Sequence, residues 1–106
     1  MIRRKKKSPE EIAENKAKIE AQNEFFLSIW NKREHKSEIS GTFLGNTPLT
    51  IFFHHILPKS KYPKLAFIEG NIILLTFEEH QNVEQNIYRY EEINNRRITL
   101  IRLYGV

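Results

Sequence analysis

His54, His55, Asn71 and His80 are the residues of this chain whose types and spacing offer chemistry. Three of its four histidines fall in this stretch, at the edges of the apolar runs 49–53 and 72–75, where solvated surface histidines are not expected. An imidazole titrates at about 6.5, so near neutral pH it can take a proton from water or offer a lone pair to a metal ion. There is no cysteine, and all thirteen acidic residues are glutamate. Disulfides, thiolate nucleophiles and thiolate zinc sites are thereby excluded. A metal site has to be built from His, Glu, Asn, backbone carbonyls and water.

These side chains need elements to hold them. Ser8-Pro9-Glu10-Glu11 is a helix start, with Ser8 as cap, Pro9 at the first helical position and Glu11 three residues beyond the cap. Helical spacing links Ile12, Ile19, Phe26 and Trp30, which predicts a helix over 9–35 whose second half, from Phe25, docks on a core. Gly41, Gly45, Asn46 and Pro48 are turn chemistry. The run 49–54 is β-branched and aromatic and is expected to be a strand. A lysine-bearing loop follows over 58–70, then a second short strand over 71–76. Thr76 caps a helix that opens at Phe77, with Val83, Ile87, Tyr90, Ile98 and Ile101 as its apolar stripe. Asn94-Asn95 is the expected interruption, beyond which Ile98 to Leu103 reads as helix or strand.

Strand, loop, strand, helix is the order of a ββα-metal site, and the histidines stand within it. The wording His54-His55-Ile56-Leu57-Pro58-Lys59-Ser60, followed by Asn71 and then His80, resembles the HNH endonucleases. Asn71 stands 16 positions after His55 and His80 nine positions after Asn71, both within that family's pattern. The resemblance spans residues 37–84, under half of the chain. It implies an α+β fold with an HNH ββα-metal core, a two-stranded hairpin plus helix, and here an additional N-terminal helix. The roles it implies are His55 as general base, Asn71 as the residue that ties the loop and orients His55, and His54 and His80 as metal ligands. Glu84 lies one helical turn after His80 and is a candidate third ligand, the alternative being a solvated glutamate with the ion completed by waters and substrate phosphate oxygens. One divalent cation is implied, magnesium or manganese first, zinc or nickel as alternatives. The implied activity is metal-dependent cleavage or nicking of DNA that leaves 5′-phosphate and 3′-hydroxyl ends, as in small phage proteins of this kind.

Many such proteins carry two Cys-x-x-Cys pairs around a structural zinc. Here Ser37 and Ser40 look like the first pair, and Thr76 and Glu79 like the second, with every cysteine replaced. The expectation is that packing by Trp30, Phe25 and the C-terminal apolar stripe stands in for the lost zinc.

With 106 residues and 40% hydrophobic content, one domain is expected, over 9–106 with its core at about 49–92, preceded by a basic arm at 1–8. Net charge is +4, and Arg3, Arg4 and the three lysines after them are suited to phosphates, as are Lys59, Lys61 and Lys64 on the loop. Arg96 and Arg97 extend that basic surface, and His35 is expected to be solvated. The apolar runs are too short to span a bilayer, and no apolar segment follows the basic arm, so a cytoplasmic location is expected, while the DNA partner is what the resemblance implies. The apolar stripe leaves a homodimer open. Two rivals share these features: a DNA-binding or protein-interaction module that keeps the HNH frame without catalysis, and a closed structural zinc site of His54, His80 and Glu84.

Overall fold

The computed structural model describes residues 8–106; the basic arm, with Arg3 and Arg4, lies outside them. The fold is α+β: three helices and a two-stranded antiparallel hairpin. Helix α1 runs Pro9–Lys32, strand β1 Phe53–His55, strand β2 Ile72–Leu74, helix α2 Phe77–Gln85 and helix α3 Glu91–Tyr104. Helix α1 begins where its capping signal predicts, with the Ser8 hydroxyl accepting from the Glu11 amide at 3.2 Å. Its first half projects Ile12 and Ile19 into solvent, 57% and 59% exposed, whereas Phe26, Ile29 and Trp30 are buried.

The hairpin is a middle layer. Phe53, His54 and His55 pair with Leu74, Ile73 and Ile72, and side chains alternate across it. One face gives Phe53, Ile72 and Leu74 to a cluster with Phe26, Ile29 and Trp30 of α1, where Phe26 and Phe53 stack at 4.4 Å. The other face gives Ile73 to a cluster with Val83 of α2 and Ile93 and Leu100 of α3, joined by Ile56, Leu57, Leu65 and Leu75. Full burial of an aliphatic or aromatic side chain contributes about 1.5–3 kcal/mol, so two such clusters dominate the stability of a chain this small.

The outer edge of β2 is closed by polar groups. The Glu38 amide donates to the Leu74 carbonyl at 2.9 Å, and the Leu74 amide donates back to the Glu38 carboxylate at 2.7 Å. The Arg33 guanidinium reaches the Ile72 carbonyl at 2.6 Å and also pairs with Glu38 at 2.8 Å. With that edge occupied, the free edge of β1 is the one left to border a cleft.

The four positions read as replaced cysteines do converge. The Ser37 hydroxyl donates to the Glu79 carboxylate at 2.6 Å and accepts from the Ser40 amide at 3.0 Å. Glu79 accepts from the Thr76 amide at 2.8 Å, and its own amide donates to the Thr76 hydroxyl at 3.1 Å, a complete capping box. Gly41 makes the turn beneath Ser37 at φ +75°, where a Cβ would be strained. Burial alone would raise the Glu79 pKa, but the bonds from Ser37, Thr76 and Ser40 outweigh it and hold the carboxyl below its ordinary value. A buried hydrogen-bond cluster therefore joins the segment after α1 to the start of α2.

Several expectations are corrected. Residues 50–52 form a 3₁₀ turn, not strand, and β1 starts at Phe53. The helix opened by Phe77 ends at Gln85, nine residues before Asn94-Asn95, and Ile98 to Leu103 is helical. The predicted stripe is thereby divided: Val83 is buried, while Ile87 and Ile98 are about half exposed, at 48% and 49%. The packing of α3 rests on Ile93 and Leu100 instead. His35 is half-buried, stacked on Trp30 at 3.9 Å with its Nε2 at 3.0 Å from the Trp30 carbonyl. Arg96 is engaged by Glu38 and Glu92 and adds no free charge to a basic surface.

Candidate functional site

Along the free edge of β1 lies a cleft of about 360 Å³. His54 and His55 of β1, His80 of α2, Phe26 and Gln22 of α1, and Lys59 of the loop are among its walls. Three histidines that the sequence spreads over 54–80 thus meet at one opening. Each comes from a different local device.

His80 is fixed from both ends of its ring. Its Nδ1 lies 2.6 Å from the Ile51 carbonyl, which can only accept, so Nδ1 carries the proton. The 3₁₀ turn at Thr50–Phe52 exists at this point and presents that carbonyl to α2 instead of to a partner strand. The other nitrogen, Nε2, faces the Glu84 carboxylate at 3.3 Å. A cation shared between that nitrogen and the carboxylate would complete the contact. A carbonyl on the far nitrogen is also the usual outer support of a metal-ligating histidine.

His54 stands edge-on to His80, with ring centroids 5.1 Å apart. Burial lowers its pKa from the usual 6.5 to about 4, aided by the positive charges of His80, His55 and Arg97. At neutral pH it is an uncharged imidazole, the form that ligates metal.

His55 sits beside Phe26, ring centroids 5.9 Å apart, and its Nε2 lies 3.0 Å from the Ala66 carbonyl. The carbonyl again dictates the tautomer: Nε2 holds the hydrogen and Nδ1 is left as the basic atom. Burial lowers its pKa, the Ala66 bond opposes that, and the Lys59 charge lowers it further, for a net value below 6.5.

Asn71 is wholly buried and spends its amide on the loop. Its Oδ1 accepts from the Leu57 amide at 2.7 Å, and its Nδ2 donates to the carbonyls of Leu57 at 2.9 Å and Leu65 at 3.1 Å. It ties the two ends of the loop together, as expected. It makes no hydrogen bond to His55, whose ring is held by the Ala66 carbonyl instead. Nor does its side chain retain a free atom for a metal.

Of the loop lysines, only Lys59 borders the cleft, donating to the Gln22 carboxamide at 2.6 Å. Lys61 leans on the Tyr62 ring, and Lys64 is exposed away from the opening. Gln22 carries no sequence signal and Phe26 only that of a core residue, because the tertiary docking of α1 is what brings them to the cleft. Among the described residues, no three His, Cys, Asp or Glu side chains form a ready-made cluster for a metal. Two histidines with Glu84 nearby suit an ion that takes its remaining oxygens from water and substrate. No protein-family model, curated protein or solved structure matches the chain.

Proposed function

We propose that this protein is a metal-dependent DNA endonuclease of the HNH kind, which nicks DNA by hydrolysing one phosphodiester bond per site. The observation that carries the reading is the convergence of His54, His55 and His80 on one cleft, with the tautomers of His55 and His80 set by backbone carbonyls and His54 kept uncharged by its burial. The convergence of Ser37, Ser40, Thr76 and Glu79 supports the same reading, since these positions matched that family's second pattern.

His54 and His80 would hold one divalent ion, magnesium or manganese, with Glu84 within reach of the same place. Such an ion supplies Lewis-acid neutralisation of the phosphate and of the departing 3′-oxygen. His55 takes the proton from the attacking water at Nδ1, and the Ala66 carbonyl stabilises the imidazolium that results. The water oxygen bonds to phosphorus, the bond to the 3′-oxygen breaks, that oxygen takes a proton from solvent, and the ends are 5′-phosphate and 3′-hydroxyl. Lys59, anchored by Gln22, places a phosphate at the mouth of the cleft.

The rivals fit less well. A closed zinc site is disfavoured because the two histidines line an open cleft and the Glu84 side chain is 68% exposed. A module that only binds DNA has no use for a base whose tautomer is fixed. No helix among the described residues is long and apolar enough to cross a membrane. The test is incubation of supercoiled plasmid with the purified protein and magnesium or manganese, beside an EDTA control. Nicked circles that appear only with metal are expected. An intact plasmid under both metals, with DNA binding retained, would transfer the case to the binding module.

A further inference from the structure

A second cavity, of about 420 Å³, adjoins the histidine cleft and shares Gln22, Lys59 and Ser60 with it. Its other walls are Lys18 of α1 and the loop residues Pro63, Ala66 and Phe67. Both cavities fall in the range of ligand-sized clefts, about 300–1,000 Å³. No carboxylate lines either one, although the chain has thirteen acidic residues. Lys59 bonds only the neutral Gln22 carboxamide, and among the described residues neither it nor Lys18 has an acidic partner within ion-pair distance. Phe67 is 54% exposed, yet its ring is held edge-on by Phe25 at 5.3 Å. The preceding residue is Ala66, whose carbonyl fixes His55.

We propose that this second cavity is a subsite for one unpaired nucleotide of the DNA strand whose phosphate lies at His55. Its base stacks on Phe67, and Lys18 and Lys59 hold its flanking phosphates. The inference rests on reading the histidine cleft as the place of the scissile phosphate. The wall chemistry selects the ligand: cations without competing acids call for a polyanion, and a held, solvent-facing ring calls for a flat apolar partner. A nucleotide is both. A base inside a duplex has both faces covered by its neighbours, so only a base outside the stack can cover the Phe67 ring. The protein therefore favours overhangs, frayed ends and branch points over continuous duplex.

The experiment is fluorescence anisotropy in EDTA, with a labelled duplex carrying a 5′ or 3′ single-stranded overhang and the same duplex made blunt. The wild type binds one of the overhang substrates about tenfold more tightly than the blunt one, the size of one base stacked on an aromatic ring. Phe67→Ala brings that ratio close to one, Phe67→Trp keeps it, and Lys18→Ala weakens overhang binding with a shallower salt dependence. Circular dichroism of each variant excludes misfolding as the cause. Equal wild-type affinities, or a folded Phe67→Ala protein that keeps the full ratio, overturns the subsite. Plasmid nicking by the wild type is measured in parallel. Nicking with equal affinities removes the subsite alone, whereas an overhang preference without nicking upholds the subsite and counts against the hydrolytic reading.

Discussion

His55 owes its proposed role to one backbone carbonyl. With Nε2 committed to Ala66, Nδ1 is basic, and the lowered pKa keeps it unprotonated at neutral pH. A base has to be neutral to act, so a lowered pKa extends activity toward acid. The rate of nicking is expected to be flat around neutrality and to fall on acidification with a midpoint below 6.5. An acid limb centred above that value would contradict the assignment. His54 has a consequence for stability. Its pKa is about 4 folded against 6.5 unfolded, so between those values the unfolded chain binds more protons. Stability is therefore complete above 6.5 and declines as pH falls toward 4, by on the order of 2–3 kcal/mol. Urea titrations in EDTA across this window check it, and His54→Gln should flatten the decline. The histidines and the asparagine were visible in the sequence because their types are rare and their spacing is patterned. Gln22, Lys18 and Phe67 were not, since a glutamine and a lysine on a charged helix, or one phenylalanine on a loop, look like ordinary surface until α1 docks beside that loop.

The loop between β1 and β2 is held by Asn71, whose amide is its internal clamp. Asn71→Ala leaves the Leu57 amide and carbonyl without partners and leaves the Leu65 carbonyl only its bond from the Ile68 amide, at a cost of roughly 2–4 kcal/mol. For a domain of this size the Tm is expected to fall by roughly 10–20 °C, read by calorimetry or circular dichroism. A Tm equal to that of the wild type would show that the clamp is dispensable. Element starts were readable where a cap marks them: Ser8 opens α1 and Thr76 opens α2, each through its hydroxyl. Element ends set by distant groups were not. Residues 50–52 have strand-forming side chains, yet the Ile51 carbonyl is needed by His80, and the backbone turns to present it. Helix α2 stops early because the connector after it has its own partners. Arg97 donates to the Ile87 carbonyl at 2.9 Å, and Asn94 donates to that of Tyr88 at 3.0 Å. The Asn94-Asn95 pair read as a break is thus helical, and Asn94 ties down the real break.

In the molecule as a whole, one hairpin divides two small cores and leaves one edge free, and the cleft occupies that edge. On the proposed function each chain would carry one site for one strand. Plasmid cleavage is expected to accumulate nicked circles first and linear DNA only later, as seen by gel electrophoresis over time. Simultaneous appearance of linear product would instead indicate paired sites. Sequence reasoning reached the α+β class and the ββα order because hydrophobic periodicity and turn residues encode them. It did not reach the stacking of α1 on one face of the hairpin and α2 with α3 on the other, which depends on long-range pairs such as Phe26 with Phe53 and Val83 with Ile73. The most direct measurement is chemical rescue of the base. Purified His55→Ala protein is assayed on supercoiled plasmid with manganese, with and without added imidazole. The variant is expected to nick about 10²–10⁴-fold more slowly than wild type, and imidazole to restore part of the rate. A His55→Ala protein that nicks as fast as wild type would contradict the role of His55 as the base of a hydrolytic site.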